Sequence, residues 1–446
     1  MEDDALAAAL TKLEHDGAGP EVRAAFERRF AQLQDPHAGR LHGDDLEPLT
    51  DADVPRLDDL DAEDADRILH RVAVVKLNGG LGTSMGLRGP KSLIDVKPGR
   101  TFLDVIAHQV RAAGLPLVLM DSFSTQAATR AALGDDTGVR DFLQSREPKL
   151  DAQTYAPIDW PKDPNLEWCP PGHGDVYVSL AASGMLDQLL DEGRDWAFIS
   201  NSDNLGATVD PRIPAHAAAH GIPFVMETVR GTPADRKGGH VARRRDTGRL
   251  TLRETAQAPP DDPSFTDFER WRFYNTNNLW VDLKHLKQLL HEDPAGPNLP
   301  LIVNRKTVDP RDSSSPKVLQ LETAMGAALG AIDGAQAVLV PRTRFAPVKT
   351  TDDLLVVRSD AYAIDDAGHV TPTFAGDDPP VVSLDPDHYK SLPDMERRFP
   401  HGAPSLREAK ALTVHGDVTF GRDVTVIGDV TVADTGTVAD HAILRG

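Results

Sequence analysis

Residues 72–91, VAVVKLNGGLGTSMGLRGPK, combine residue types that could hold a phosphate group. The apolar run VAVV is typical of a buried strand, and five glycines follow it within eleven positions, 79 to 89. Closely spaced glycines let the backbone adopt positive φ and bring successive N–H groups against an anion. Lys91 adds a positive charge just beyond the loop. The stretch therefore predicts a phosphate-binding loop that follows a strand.

This loop matches neither of the two common nucleotide-binding fingerprints. The pattern G-x-x-x-x-G-K-[ST] does not occur in the chain, and the nearest stretch, residues 86–92, has a proline before its lysine. The pattern G-x-G-x-x-G fails because Met85 stands where the third glycine belongs. A glycine-rich turn without a ligand would explain the glycines but not the lysine behind them. We interpret the stretch as a nucleotide loop of another kind.

Asp203 is the first candidate for a metal ligand. It follows the apolar run WAFI at residues 196–199, within the string SNSDN. Ligands of α/β sheets bind beyond the carboxyl ends of the strands, and a carboxylate there could hold Mg²⁺ through oxygen. A turn-forming or helix-capping aspartate is the alternative, and these residues alone leave both interpretations open.

Other polar residues are weaker candidates for ligand contacts. His173 lies between two glycines, so it belongs to a loop that something else can approach closely. Lys349 precedes a predicted helix N-terminus, although an ordinary surface lysine is the alternative. Residues 253–257 and 274–280 are rich in amides and carboxylates, which suit a polyhydroxylated ligand but are also common in turns.

The elements around these residues predict an α/β fold. From residue 72 onward apolar strands alternate with helices, one of which begins after Thr101 and ends near Gly114. This order is typical of a mostly parallel sheet with helices on both faces. After about residue 411 apolar residues recur every six positions, for example Val414, Phe420 and Val426, which predicts a β-solenoid. The unpaired edges at its end could stack against another copy of the chain.

The bulk composition excludes several classes of function. The 446 residues carry 48 basic and 69 acidic side chains, and the net charge of −21 would repel a nucleic-acid backbone. The single cysteine, Cys169, excludes an internal disulfide and fits a reducing compartment. The N-terminus lacks the basic region of a secretory signal, and no apolar run approaches the ~20 residues that span a bilayer. We expect a cytoplasmic protein that binds neither nucleic acid nor membrane.

Ten strings in unbroken order, from about residue 70 to residue 430, resemble the eukaryote-like UTP–glucose-1-phosphate uridylyltransferases. The strings are KLNGGLGTSMG with GPKS, PPGHGD, NSDNLGATVD, KGGH, ETAQAP, NTNNLWVDL, IVNRKTVD, LQLETAMGAA, RFAPVKTTDDLL and LTVHGDVTFG. The resemblance implies a Rossmann-like nucleotidyltransferase domain with a mixed, mostly parallel sheet, followed by a C-terminal left-handed β-helix. We expect a helical, acidic N-terminal segment at 1–70, the catalytic domain at 71–345, a connecting segment at 346–405 and the β-helix at 406–446.

The resemblance also implies roles for individual residues. Residues expected to bind the nucleotide are Leu77, Asn78, Gly79, Gly80, Lys91, Met120, Gln144, Gly172, Asn201, Ser202, Asp203 and Lys349. Residues expected to bind the sugar phosphate are His173, Gly239, Glu254 and Asn277. Lys91 and Lys349 are expected to be catalytic, and Asp203 to bind Mg²⁺ as the cofactor. Ser202 departs from the family, which has an aliphatic residue between the positions of Asn201 and Asp203, so we expect a change in packing there.

The implied reaction is an in-line attack of glucose 1-phosphate on the α-phosphorus of UTP, which forms UDP-glucose and pyrophosphate. Such transfers depend on positioning and charge neutralisation and need no nucleophilic side chain. The main alternative is a pyrophosphorylase for another sugar phosphate. A hexapeptide-repeat acyltransferase is disfavoured because the hexads are few, and a non-catalytic nucleotide-sugar sensor because both lysines are present. A homo-oligomer formed through the β-helix is also possible.

Overall fold

The computed structural model describes residues 2–35, 39–61, 63–87, 89–134, 138–374, 379–433 and 435–446. Within these ranges the α-helices are α1 (Glu2–His15), α2 (Pro20–Leu33), α3 (Ala65–Leu69), α4 (Phe102–Ala112), α5 (Gln126–Leu133), α6 (Val176–Ala182), α7 (Met185–Asp191), α8 (Arg212–His220), α9 (Leu283–Glu292), α10 (Ala328–Ala331), α11 (Thr351–Arg358), α12 (Pro386–Tyr389) and α13 (Leu392–Arg398). The helix predicted after Thr101 is confirmed as α4, and Thr101 forms a capping box with Asp104 at its start. None of the described helices has the length and apolar character that crossing a membrane requires.

The strands of the described residues form one large sheet and several small ones. They are β1 (Leu46–Pro48), β2 (Val72–Leu77), β3 (Asp95–Lys97), β4 (Arg100–Thr101), β5 (Leu117–Asp121), β6 (Arg140–Leu143), β7 (Glu147–Pro148), β8 (Leu150–Asp151), β9 (Trp168–Cys169), β10 (Trp196–Asn201), β11 (Phe224–Arg230), β12 (His240–Arg244), β13 (Leu250–Arg253), β14 (Phe273–Asp282), β15 (Ile302–Thr307), β16 (Lys317–Glu322), β17 (Gln336–Leu339), β18 (Tyr362–Ile364), β19 (Val370–Pro372), β20 (Val381–Leu384), β21 (Ser405–Val414), β22 (Val418–Phe420), β23 (Thr425–Val432), β24 (Gly436–Val438) and β25 (Ile443–Arg445).

The central sheet has ten strands, and most of them run in the same direction. Its main path is β1-β12-β14-β10-β2-β5-β6, with β11 and β17 attached to β14 and with β13 attached to β12. The pairings give β2, β5, β6, β10, β11, β12 and β17 one direction and β1, β13 and β14 the other. The predicted α/β fold with a mixed, mostly parallel sheet is therefore confirmed.

Strand β2 shows why its sequence is apolar at every position. All six of its residues are buried. Val72 and Val74 belong to the apolar core on one face of the sheet, whereas Ala73, Val75 and Leu77 belong to the core on the other. Successive side chains of a strand point to opposite faces, so a strand covered on both sides needs apolar residues throughout.

The N-terminal residues are packed against the rest of the chain. Helices α1 and α2 share an apolar cluster with strands β8 and β16, through Phe26, Phe30, Leu150 and Leu319 among others. Strand β1 forms an edge of the central sheet by pairing with β12, and the sequence did not predict this strand. The described part of the acidic N-terminal segment therefore contributes both helices and a sheet strand to the fold.

The C-terminal residues form parallel strands that stack at a constant offset. Strands β20-β21-β23-β25 form one parallel sheet, and β22 pairs in parallel with β24. Leu412 faces Val430 and Val426 faces Leu444, which is 18 residues later in both cases. Eighteen residues are three six-residue repeats, so the period in the sequence corresponds to the spacing of the stacked strands.

Candidate functional site

Three residues expected at the nucleotide lie at the carboxyl ends of neighbouring parallel strands. Leu77 of β2 pairs with Met120 of β5 on one side and with Asn201 of β10 on the other. The chain leaves the sheet at this edge, which is where α/β sheets bind their ligands. Ser202 is buried and donates its backbone N–H to the Leu77 carbonyl at 3.3 Å, so packing governs this position. Asp203 follows directly.

The glycine loop closes on itself between β2 and Lys91. The backbone N–H of Lys91 donates to the Gly80 carbonyl at 3.1 Å, and that of Gly82 donates to the Gly89 carbonyl at 3.2 Å. These bonds bring the end of the loop back to its beginning. Gly80 borders open space, because a Cβ placed on it would meet no other atom within 4 Å. Lys91 therefore stands beside the most accessible part of the loop.

The Asn78 side chain is directed into the protein. Its amide donates to Asp121 Oδ1 at 2.7 Å and to Thr129 Oγ1 at 2.9 Å, and the residue is buried. Burial raises the pKa of Asp121 to about 6, although the bonds from Asn78, Thr125 and Thr129 oppose the shift. Only the backbone of Asn78 is therefore available at the loop, and its side chain fixes where the loop begins.

Gln144 and Gly172 meet beside the glycine loop. Gln144 follows strand β6, and its Nε2 donates to the Gly172 carbonyl at 2.7 Å. A Cβ placed on Gly79 would lie 2.9 Å from Gln144 Oε1, so the loop backbone passes directly over this amide. The structure thus brings together three expected nucleotide-binding residues that are far apart in the sequence.

His173 is held as a neutral imidazole with a defined tautomer. Its Nδ1 accepts a hydrogen bond of 3.0 Å from the backbone N–H of Met325. Burial lowers the pKa of His173 to about 4, and the negative charge of Asp203 only partly opposes the shift. The proton of the neutral ring is therefore on Nε2, which leaves one N–H for donation.

Lys91, Asp203 and Lys349 converge between the glycine loop and a cavity. Lys91 Nζ lies 2.8 Å from Asp203 Oδ2. The backbone carbonyl of Asp203 accepts from the N–H of Val348 at 3.0 Å, which places Lys349 next to the same strand end. Within the described ranges no group of three or more His, Cys, Asp or Glu residues could hold a metal. A metal bound here would rely on Asp203 and on oxygens of a substrate.

A cavity of about 660 Å³ opens beside this cluster. Its polar wall includes six residues that the sequence predicted: Asn201, Asp203, Gly239, Glu254, Asn277 and Lys349. Its opposite wall is mainly apolar and includes Phe345, Val356, Tyr362, Phe374 and Val381. The cavity therefore offers hydrogen-bonding groups on one side and apolar surface on the other.

Glu254 and Gly239 are in direct contact on the polar wall. A Cβ placed on Gly239 would lie 2.6 Å from the Glu254 carboxylate, so only glycine fits at this position. Burial raises the pKa of Glu254, while a hydrogen bond with Asn275 and the charge of Lys349 act in the opposite direction. The carboxylate is thus held inside the cavity near a lysine.

Asn277 owes its position to an irregularity in strand β14. The pairing of β14 with β11 shifts register between Met226 and Thr228, and Asn277 has a φ of 58°. Asn275 Nδ2 donates to Asn277 Oδ1 at 2.9 Å, and Asn275 Oδ1 accepts from the Asn277 backbone N–H at 2.8 Å. A bulge of this kind turns a side chain out of the regular alternation, here toward the cavity.

The sequence analysis missed a buried polar network behind the site. Arg344 donates from Nε and an Nη nitrogen to Glu227, at 2.9 and 2.6 Å. Glu227 also accepts from Trp280 Nε1 and Asn278 Nδ2. Asn204 Nδ2 donates to the Arg344 carbonyl at 3.0 Å. A glutamate inside the apolar strand FVMETV was the signal that could have revealed this network.

The chain matches one family model and many curated proteins. The model is described as UTP--glucose-1-phosphate uridylyltransferase and covers residues 23–427. A UTP--glucose-1-phosphate uridylyltransferase of Saccharomyces cerevisiae is 41% identical over 367 residues, 79% of this chain and 72% of the yeast protein. The protein of the same name from Solanum tuberosum is 40% identical over 375 residues, 81% of this chain and 76% of its own length.

Solved structures agree with these sequence matches. A variant of the UDP-glucose pyrophosphorylase from Leishmania major, in complex with UDP-glucose, superposes with a TM-score of 0.92 at 39% identity. The match covers 99% of this chain and 98% of that structure. A UDP-glucose phosphorylase from Trypanosoma brucei gives a TM-score of 0.88 at 39% identity, with 99% and 100% of the two chains covered. The chain therefore belongs to the UTP–glucose-1-phosphate uridylyltransferase family of nucleotidyltransferases.

Proposed function

We propose that this site transfers the uridylyl group of UTP to glucose 1-phosphate, the reaction after which the family is named. A phosphate oxygen of glucose 1-phosphate forms a bond to the α-phosphorus of UTP. The bond from that phosphorus to the oxygen it shares with the β-phosphate breaks, and pyrophosphate leaves with the electron pair. The products are UDP-glucose and pyrophosphate, and no covalent intermediate with the protein is required.

We assign the nucleotide to the strand-end side of the site. Leu77, Asn78, Gly79 and Gly80 offer backbone groups there, and Met120 and Asn201 end the flanking strands. The Gln144–Gly172 hydrogen bond of 2.7 Å supplies an amide and a carbonyl beside the loop, which suit the polar edge of a uracil ring. Ser202 contributes through packing because it is buried.

We assign the sugar to the polar wall of the cavity. Glu254 accepts hydrogen bonds, and the Asn277 amide can both donate and accept, so together they can pair with neighbouring sugar hydroxyls. Gly239 leaves room beside the Glu254 carboxylate. His173, neutral with its proton on Nε2, donates a hydrogen bond to the sugar phosphate without changing its own charge.

Lys91 and Lys349 supply the positive charge that the reaction needs. Negative charge accumulates on the phosphate oxygens as the α-phosphorus changes partners, and fixed cations at that point stabilise the transition state. Lys91 stands at the end of the glycine loop, and Lys349 lines the cavity, so the pair lies on both sides of the proposed reaction centre. Both lysines also orient the two phosphate groups toward each other.

Asp203 is the residue that would hold Mg²⁺. Mg²⁺ usually takes one or two carboxylates and completes its shell with phosphate oxygens and water, so a single carboxylate beside a triphosphate site fits its needs. The Asp203 side chain is about one-fifth exposed and already faces a cation, Lys91. When bound, the metal would neutralise phosphate charge. Lys91 would then be released from Asp203 and could turn toward the triphosphate.

The observation that supports this proposal most directly is the convergence of Lys91, Asp203 and Lys349. The test is Lys349→Ala, with the exposed Lys410→Ala as the matched control for the loss of one positive charge. We expect Lys349→Ala to lower kcat by ~10²–10³, because the lost interaction belongs to the transition state. The Kd for UTP, measured by calorimetry, should change far less. Near-normal turnover in this variant would refute the role of Lys349.

A panel of sugar 1-phosphates tests the assignment of the cavity. Pyrophosphate release should be fastest with glucose 1-phosphate when it is compared with galactose 1-phosphate and N-acetylglucosamine 1-phosphate. Glu254→Gln should narrow the difference between the sugars more than it raises the KM for UTP. Equal rates for all sugars would show that the polar wall does not select the substrate.

We also propose that the C-terminal parallel strands form a short left-handed β-helix through which copies of the chain associate. The offset of 18 residues supports three strands per turn, and Ile443 near the end is exposed. Solution molar mass, measured across concentrations for the native chain and for Ile443→Asp, tests the association. A native mass that equals one chain at all concentrations would exclude it.

A further inference from the structure

The N-terminal helices contact two segments that carry expected nucleotide-binding residues. Strands β7 and β9 pair antiparallel, with Glu147 opposite Cys169 and Pro148 opposite Trp168. We refer to residues 144–148 and 167–172 together as the base ribbon. Gln144 lies at one end of the base ribbon and Gly172 at the other, and their side-chain-to-backbone hydrogen bond joins these two ends.

Three contacts tie the end of helix α1 to the base ribbon. Asp16 accepts from Arg146, whose Nε lies 2.7 Å from Asp16 Oδ2. Lys12 forms an ion pair with Glu167, and its Nζ also lies 5.4 Å from the centre of the Trp168 ring. The Arg146 guanidinium lies over the same ring at 4.7 Å, so both strands of the ribbon are held by one turn of helix.

Helix α2 adds a fully buried ion pair at the centre of the base ribbon. Arg29 donates to the Glu147 carboxylate, and neither side chain is more than 7% exposed. Burial raises the pKa of Glu147 to about 7, while the charge of Arg29 and its hydrogen bond hold it down. A carboxylate this deeply buried needs its partner, so the ribbon and α2 must dock in a defined position.

The site side of the base ribbon is connected just as closely. The Ser145 backbone N–H donates to Asp175 Oδ2 at 2.8 Å, one residue after Gln144. The Gly174 backbone N–H donates to the Thr323 carbonyl at 2.8 Å, two residues after Gly172. A displacement of the ribbon would therefore move Gln144 and Gly172 relative to the glycine loop.

We propose that the N-terminal helical hairpin, residues 2–33, is a positioning element for the nucleotide side of the active site. It acts through the base ribbon, which it holds so that Gln144 and Gly172 keep their relative placement beside the glycine loop. The inference rests on the proposed assignment of Gln144 and Gly172 to the nucleotide. None of the described residues that line the sugar cavity belongs to the hairpin, so its effect is confined to UTP.

The test compares two substitutions at the end of α1 that each remove one negative charge. Asp16→Asn breaks the ion pair with Arg146 of the base ribbon. Glu14→Gln breaks an ion pair with Arg23 that lies within the hairpin itself. We expect Asp16→Asn to raise the Kd and KM for UTP by about three- to tenfold, and to leave the KM for glucose 1-phosphate within about twofold. Glu14→Gln should leave all three constants unchanged.

A third variant separates this inference from the assignment of the site. Gln144→Ala should raise the KM for UTP if Gln144 binds the nucleotide. If Gln144→Ala has this effect and Asp16→Asn behaves like Glu14→Gln, the hairpin does not position the site and the inference is wrong. If Gln144→Ala leaves the KM for UTP unchanged, the assignment of Gln144 is wrong and the inference falls with it. Arg29→Met is unsuitable because it leaves Glu147 buried without its partner and endangers the whole fold.

Discussion

Asp203 and Lys91 have opposite charges 2.8 Å apart at the place where a triphosphate and a metal would meet. A metal bound by Asp203 would compete with Lys91 for the same carboxylate. Asp203→Asn keeps the shape of the side chain but removes the charge that attracts Mg²⁺. We expect UTP binding in this variant to lose its dependence on Mg²⁺, with a Mg²⁺ midpoint shifted by about tenfold or more.

Calorimetric titration of UTP at several Mg²⁺ concentrations measures this shift without relying on turnover. Asp187→Asn is a suitable control because its carboxylate pairs with Lys287 on the surface, with both side chains more than half exposed. A Mg²⁺ titration that is the same in Asp203→Asn and in the native chain would remove Asp203 as a metal ligand.

Asp121 predicts a pH dependence of stability rather than of catalysis. Its pKa is about 6 in the folded chain, against ~3.9 in an unfolded one. The folded state thus holds the proton more tightly, and the free energy of unfolding falls as the pH rises from about 4 to about 6. Asp121→Asn should raise the free energy of unfolding at pH 7.5 by on the order of 1–3 kcal/mol, with the gain shrinking toward pH 4.

Denaturant unfolding of the native chain and of Asp121→Asn at pH 5 and at pH 7.5 tests this expectation. The Asn78 amide could still donate to the side-chain oxygen that remains at position 121, so the start of the glycine loop is preserved. A variant that is less stable than the native chain at pH 7.5 would show that Asp121 is stabilised as a carboxylate.

At the scale of the element, apolar runs were sufficient to predict the strands that position the site. Residues 72–75 and 196–199 read as buried strands, and both lie side by side in the central sheet. The irregularity that presents Asn277 could not be predicted, because the register shift depends on how β11 pairs with β14. Strand β1 was missed for the same reason, since its partner β12 lies about 200 residues away.

The Glu227–Arg344 pair connects strand β11 to the segment that ends at Lys349. The Ala346 backbone N–H donates to Asn204 Oδ1 at 3.0 Å, so this segment is also tied to the strand that precedes Asp203. Arg344→Met should lower the free energy of unfolding by about 3–5 kcal/mol, because it leaves the Glu227 carboxylate buried without a countercharge. Adding Glu227→Leu should recover part of that stability but not the turnover, because the segment would no longer be held.

Thermal unfolding and kcat, measured for the single and double variants, test both parts of this prediction. Arg358→Met is the control, since its ion pair with Glu396 is partly exposed and should contribute little. An Arg344→Met variant with the native melting temperature would show that the buried pair does not stabilise the fold. A double variant with native turnover would show that it does not position Lys349.

At the scale of the whole molecule, the six-residue period predicted the stacked C-terminal strands but not their attachment to the rest of the chain. One continuous apolar cluster contains Trp196 and Trp280 of the central sheet together with Phe420 and Val426 of the stacked strands. A local repeat defines the spacing of strands within a coil. It does not show which surface of the coil is buried against another part of the chain.

This continuous cluster predicts that the stacked strands and the central sheet unfold together. Phe420 is buried and its ring stacks on Phe399 at 4.7 Å, so Phe420→Ala should lower the free energy of unfolding by about 3–5 kcal/mol. All five tryptophans precede residue 281, so tryptophan fluorescence reports on the catalytic part alone. We expect the fluorescence midpoint of Phe420→Ala to fall together with the calorimetric one, in a single transition. If the fluorescence midpoint stays at the native value while a second, earlier transition appears, the stacked strands are an independent folding unit.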